Sequence, residues 1–230
     1  MGMIRQVLFD GKVEVGISEI GDGNMRFFGG GDEADVIEKQ VKLGKLLDLS
    51  GDRIARVRTI YDDRESFTDY YEITDRNLSE YAVVNPERQI PVSDGLIVSS
   101  SDVGILLPLA DCLGIVVFDE QHQRVGLLHS GRQNIEQYGP KKFIEYFVKN
   151  VGSNPGELKV YFSPHALNYQ ILKFNNKTLS EVAREQLTEA GVELKNVIDY
   201  RVDTVENANL PSNSSGDKTQ RFAVAVRQMR

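Results

Sequence analysis

A chain of 230 residues, 40% apolar and 27% charged, has enough apolar side chains to bury a substantial core, which excludes a disordered or fibrous polypeptide and points to one domain over residues 1–230. A net charge of −7 repels a polyphosphate backbone unless a basic face is set apart, and the densest basic cluster, Arg53, Arg56 and Arg58, is flanked by Asp52, Asp62 and Asp63, so nucleic-acid binding is disfavoured. Residues 1–16 carry charges and no long apolar run, so neither a signal peptide nor a membrane span is expected. The single cysteine, Cys112, suits a reducing, cytoplasmic compartment in which its reactivity matters.

In chain order, residues 12–20 alternate apolar and polar side chains and predict a strand with one wet face. A second short strand is expected at 25–28, ended by Gly29, Gly30 and Gly31. Helical spacing of Val36, Val41, Leu43, Leu46 and Leu47 predicts a helix over 35–49, stopped by Ser50-Gly51-Asp52. Residues 54–60 read as a strand, and 62–91 as a polar, irregular excursion with short strands. Strands at 95–99, 105–109, 113–118 and 124–129 are almost continuously apolar, which predicts burial on both faces. A helix is expected at 140–150 with Phe143, Ile144, Phe147 and Val148 inward, then a strand at 158–162. A helix follows at 178–190, capped by Thr178 or Ser180 and ended by Gly191. Short strands at 197–200 and 221–226 flank the polar loop 207–219.

Chemistry concentrates where two of the buried strands meet. A four-residue turn at 119–122 pairs Phe118 with Gln123, and counting back along both strands sets Cys112 directly opposite His129. A turn longer by one residue would send the two side chains to opposite faces. A thiol beside an imidazole allows a thiolate–imidazolium nucleophile or a soft metal site for zinc, each needing a third group. The bland alternative is a cysteine packed as a small hydrophobe, with the histidine ending a strand. Asp111, next to the cysteine, is a candidate to orient His129 or to fix the strand end. His122 reads as a turn residue and Asp94 as the start of a strand. The run Gly216-Asp217-Lys218-Thr219 lacks the adjacency and the following helix of a phosphate loop, though it could form a loop over a pocket.

The order Asp94-Gly95-Leu96-Ile97-Val98, Ala110-Asp111-Cys112 and His129-Ser130-Gly131 resembles the laccase-domain family, also called polyphenol oxidase or YfiH-like proteins. Gly29-Gly30 resembles that family's early Gly-Gly segment, and Thr219-Gln220-Arg221-Phe222 its terminal Thr-Gly-Arg. The resemblance implies an α+β fold, with mixed β-sheets in a sandwich core flanked by helices. It also implies a zinc-dependent purine nucleoside phosphorylase, with adenosine deaminase and methylthioadenosine phosphorylase activities, in which Cys112 and His129 hold the metal and a purine nucleoside and phosphate are substrates. Tyr61 stands where the family has its first zinc histidine, so one ligand of three is altered; Asp62 or Asp63 could offer a carboxylate instead. The family's Trp-Arg after His-Ala-Gly is replaced here by Arg132-Gln133, which leaves Arg132 and Arg26 as candidate anion contacts and Tyr61 and His165 as candidate substrate contacts. A solvent-exposed loop histidine is the bland reading of His165. Two other functions stay open: a noncatalytic binding or assembly subunit that has lost its metal, and a metal-free Cys-His hydrolase.

Overall fold

The computed structural model describes residues 2–27, 32–61 and 65–229. The strands are β1 (Ile4–Leu8), β2 (Val13–Ile17), β3 (Ile54–Arg56), β4 (Tyr70–Ile73), β5 (Gly95–Val98), β6 (Gly104–Leu109), β7 (Leu113–Asp119), β8 (Arg124–Ser130), β9 (Lys159–Phe162), β10 (Gln170–Ile171), β11 (Lys177–Thr178), β12 (Val197–Asp199) and β13 (Phe222–Gln228). The helices are α1 (Glu33–Leu46), α2 (Leu78–Tyr81), α3 (Arg132–Glu136), α4 (Gly139–Tyr146) and α5 (Leu179–Glu189).

Two mixed sheets carry the architecture, one ordered β1-β2-β13-β6-β3 and the other β12-β9-β7-β8-β5-β4, with β10 and β11 forming a small separate ribbon. Their inner faces meet: Val15, Ile17, Ile105, Leu107 and Val224 of the first sheet share one apolar cluster with Leu96, Val116, Phe118, Val125 and Leu127 of the second. Alternation along each strand sends the intervening residues outward. Ile115, Val117 and Leu128 pack under Phe143 and Ile144 of α4 and Val182 and Leu187 of α5. Leu106, Ala223 and Ala225 pack under Leu43 of α1. The result is the expected α+β sandwich with helices on its outer faces, and it explains why β5 to β8 read as continuous apolar runs.

Local sequence accounts for the element ends. The Asp32 carboxylate accepts the Ala34 amide 2.9 Å away and starts α1. Thr178 and Glu181 form a reciprocal capping box at α5, and Gly191 follows that helix at φ +95°.

Some expectations are corrected. The strand β2 has no wet face: Glu14 is only 2% exposed, because β2 lies between β1 and β13 with α1 over it, and its carboxylate is paired with Arg5 and Arg227. No strand forms at Met25–Phe27, where Met25 is instead tied to the Arg221 carbonyl and to Gln40; residues 28–31, with the expected glycine stop, lie outside the described residues. The helix α1 stops at Leu46, and Asp48 turns the chain at φ +53°. After α4 the chain passes into a π turn at Phe147–Val151, which leaves Val148 exposed rather than inward. The strand β1 and the helix α3 are additions that patterning did not reveal.

The β7–β8 register also differs from expectation. The turn comprises residues 120–123, with Asp119 paired to Arg124 and Gln123 at φ +52°, so His129 lies opposite Gly114 rather than Cys112. The pairing is shifted by two residues. Since strand side chains repeat every two residues, that shift preserves the face, and Cys112 sits diagonally from His129 on the same inner side.

Candidate functional site

Three chain segments converge where the inner faces of the two sheets part. Cys112 ends the short turn from β6 to β7 and His129 is the penultimate residue of β8. Tyr61 comes from the extended segment after β3, which stays beside β6 through the Val57 amide bonded to the Leu106 carbonyl at 2.9 Å. The Tyr61 hydroxyl lies 2.8 Å from Nε2 of His129 and 3.8 Å from Sγ of Cys112. His129 is 4% exposed, and its amide donates to the Asp94 carbonyl at 2.7 Å, which anchors the end of β8. Tyr61 as a whole is 50% exposed, with its hydroxyl turned toward the thiol and the imidazole.

Asp111 holds the turn together. Its φ of +69° is a left-handed conformation that costs an L-residue about 1 kcal/mol. Three hydrogen bonds offset this: its carboxylate accepts from the Thr204 hydroxyl at 2.8 Å and the Ser214 amide at 2.6 Å, and its carbonyl accepts from the Ala166 amide at 2.9 Å. The carboxylate therefore ties two distant loops to the cysteine turn. The sequence reading left a choice between orienting His129 and fixing the strand end, and the observed bonds are of the second kind.

These residues open onto a pocket of about 290 Å³ that is also lined by Arg26, Arg132, Tyr169, Asn213, Ser214 and Arg221. Arg26 donates to the Thr59 carbonyl at 2.6 Å and pairs with Glu87 at 3.4 Å. Arg132 opens α3, is 52% exposed and reaches Glu136 at 3.7 Å. Arg221 precedes β13, and its guanidinium donates to the Gln220 carbonyl at 2.6 Å. Sequence reasoning did not name Arg221 as a site residue; its only signal was the terminal Thr-Gln-Arg-Phe likeness. Asn213 and Ser214 bring the polar loop 207–219 to the rim, as the sequence allowed.

His165 is not among the residues lining the pocket. It is 0% exposed, contrary to the loop reading, with Nδ1 2.8 Å from the Ser163 carbonyl and its backbone bonded to Val202 and Thr204. It is a buried packing residue next in the chain to Ala166, whose amide bonds to Asp111.

Electrostatics keep the resting thiol and phenol protonated. Burial pushes the Cys112 thiol above its ordinary value, and Asp111 adds to this, against opposing pulls from Tyr61, Arg221 and Arg26. Burial, followed by the proximity of Cys112, raises the Tyr61 phenol well above its ordinary value. Burial and then Arg26 lower the Arg221 guanidinium, with Tyr61 and Cys112 acting the other way. Two cationic walls thus face a protonated thiol and phenol, an environment that receives an anion.

A catalytic zinc centre takes at least three protein donors and keeps one position open. Among the described residues, no group of three or more His, Cys, Asp or Glu side chains gathers to hold a metal. Cys112 and His129 supply two donors, the neutral Tyr61 phenol is a poor third, and its hydrogen bond uses Nε2 of His129. The described residues therefore do not complete the zinc set that the resemblance implies. Asp62 and Asp63, the alternative carboxylates, lie outside the described residues. No described helix is long and apolar enough to cross a membrane.

Known proteins share both fold and sequence with this chain. The crystal structure of YlmD from Geobacillus stearothermophilus superposes with a TM-score of 0.86 over 100% of this chain and 97% of that one, at 18% identity. The hypothetical protein YfiH from Bacillus licheniformis superposes with a TM-score of 0.79 over 94% of this chain and 93% of that one, at 16% identity. A protein of Borreliella burgdorferi named purine nucleoside phosphorylase is 39% identical over 72 residues, so the match spans 31% of this chain and 31% of the length of that curated relative. Residues 13–171, from β2 through β10 and including Tyr61, Cys112 and His129, match the family described as multi-copper polyphenol oxidoreductase laccase. The chain is a member of that laccase-domain family.

Proposed function

We propose that this protein binds a purine nucleoside together with phosphate in the pocket at Cys112, His129 and Tyr61, and that it cleaves the glycosidic bond by phosphorolysis. The observation that carries the reading is the placement of Arg26, Arg132 and Arg221 around a pocket whose floor is a thiol–phenol–imidazole cluster. Guanidinium groups recognise phosphate oxygens through paired N–H donors, and Arg26, with a side chain only 12% exposed, would act where burial weakens competition from water. In the reaction a phosphate oxygen bonds to the anomeric carbon, the carbon–nitrogen bond breaks, and the departing purine takes the electron pair and a proton. In this reading the hydrogen-bonded Tyr61–His129 pair supplies that proton, and the proton lost by the attacking hydrogen phosphate restores it. The name of the Borreliella relative supports the same substrate class.

Release of free base from inosine and adenosine, followed chromatographically with and without phosphate, tests the reading. Phosphate-dependent release that falls at least about tenfold in Arg221→Ala is the expected result; no release and no nucleoside binding at millimolar substrate would remove it. A second reading, a binding or assembly subunit without turnover, is favoured by Tyr61 in the place of a ligand histidine. It predicts nucleoside binding with no base released.

A further inference from the structure

We infer that Tyr61 takes over the role of a metal ion in this pocket: its hydroxyl engages the imidazole nitrogen that an ion would need, and the Cys112–His129 pair operates as a metal-free, hydrogen-bonded cluster. The inference concerns the pocket itself and stands whether or not its ligand proves to be a nucleoside.

Three observations carry it. First, Oη of Tyr61 and Nε2 of His129 are 2.8 Å apart, and whichever atom carries the shared proton, the Nε2 lone pair is committed to that bond and not to a cation. The same oxygen lies 3.8 Å from Sγ, so the phenol bridges the two side chains as an ion would. Second, zinc is bound in proteins by thiolate, imidazole and carboxylate, and the phenol that Tyr61 brings between Cys112 and His129 belongs to none of these classes. Third, the described lining contains the guanidinium groups of Arg26, Arg132 and Arg221 against the single carboxylate of Asp111, and both oxygens of that carboxylate are engaged by Thr204 and Ser214. Among the described residues, a dication entering here meets three guanidinium groups and finds two donors to hold it.

The test is metal content and affinity rather than turnover. Protein produced in zinc-supplemented medium and dialysed is assayed by elemental mass spectrometry, and zinc affinity is measured by competition with a chromophoric chelator. The wild-type chain is expected to hold far less than one zinc per molecule, unchanged in Cys112→Ala. Tyr61→His is expected to hold about one zinc, at least about tenfold tighter, and to lose it when Cys112→Ala is added. Stoichiometric zinc in the wild type that disappears in Cys112→Ala would overturn the inference, and so would a folded Tyr61→His protein that gains none. Should Tyr61→His fail to fold, Tyr61→Phe decides: tighter zinc binding than wild type supports the inference, because the competing hydrogen bond is gone, whereas equal or weaker binding contradicts it.

Discussion

Gly131 faces Cys112 one step beyond the last paired residues of β7 and β8, and a Cβ placed on it would stand 3.0 Å from Sγ of Cys112 and 2.9 Å from Cε1 of His129. Its φ is −93°, so backbone freedom is not the reason for glycine here; the reason is the space that the thiol and imidazole need. Gly131→Ala is therefore expected to push the two side chains apart. Overpacking of this kind costs about 1–3 kcal/mol of stability, and turnover or ligand affinity should fall by a larger factor than unfolding alone explains. Chemical denaturation alongside a ligand titration separates the two effects.

Asp111 carries a prediction of the opposite balance. Removing its carboxylate in Asp111→Ala breaks the bonds to Thr204 and Ser214 and keeps the left-handed backbone, so a loss of about 2–4 kcal/mol is expected in urea denaturation. Addition of ligand should restore part of that stability, since the turn supports the pocket without supplying its chemistry. A variant as stable as wild type but unable to act would return Asp111 to the catalytic group.

The arginines should differ in weight. Arg26 is largely enclosed and Arg221 partly buried, and both are already held by backbone carbonyls, whereas Arg132 is half exposed and paired loosely with Glu136. Arg221→Ala is expected to raise the phosphate KM by about tenfold or more, and Arg132→Ala by about two- to threefold. Steady-state rates across a phosphate series give both values.

Stability should also respond to pH through His165. Burial is the largest influence on this imidazole and lowers its pKa below the ordinary 6.5, outweighing the Ser163 carbonyl and the carboxylates of Asp199 and Asp203. The unfolded chain therefore binds a proton more readily than the folded one. The neutral folded form is fully favoured above pH 6.5, and stability is lost as pH falls from there toward the depressed folded value. His165→Asn should be less stable than wild type near pH 8 but should lose less between pH 7 and pH 5. Urea midpoints at the three values check this; parallel losses in the two proteins would contradict it.

The legible and illegible parts of this molecule divide along physical lines. The apolar runs that became β5 to β8 report burial directly, and their period of two put Cys112 and His129 on one face although the turn lies one residue further along than expected. The turn position depends on Gln123 accepting a left-handed conformation, which its side chain does not advertise. The strand β1 is short and lies at a sheet edge with Arg5 and Val7 exposed, so it carries little pattern. Glu14 looks like a surface residue until Arg5 and Arg227 arrive from other strands to neutralise it. Arg221 reaches the pocket from the far end of the chain, and no local spacing connects it to Cys112. Tyr61 was conspicuous only as a departure from a resemblance; its bond to His129 is a property of the folded chain.

The most direct test of the account is calorimetric titration of the intact chain with inosine in the presence of phosphate, repeated on Tyr61→Phe and Arg221→Ala. The account predicts one binding event per chain, weakened at least about tenfold in each variant while both remain folded. Binding that is absent from the wild type, or equal in all three proteins, would contradict the claim that this pocket is where the protein acts.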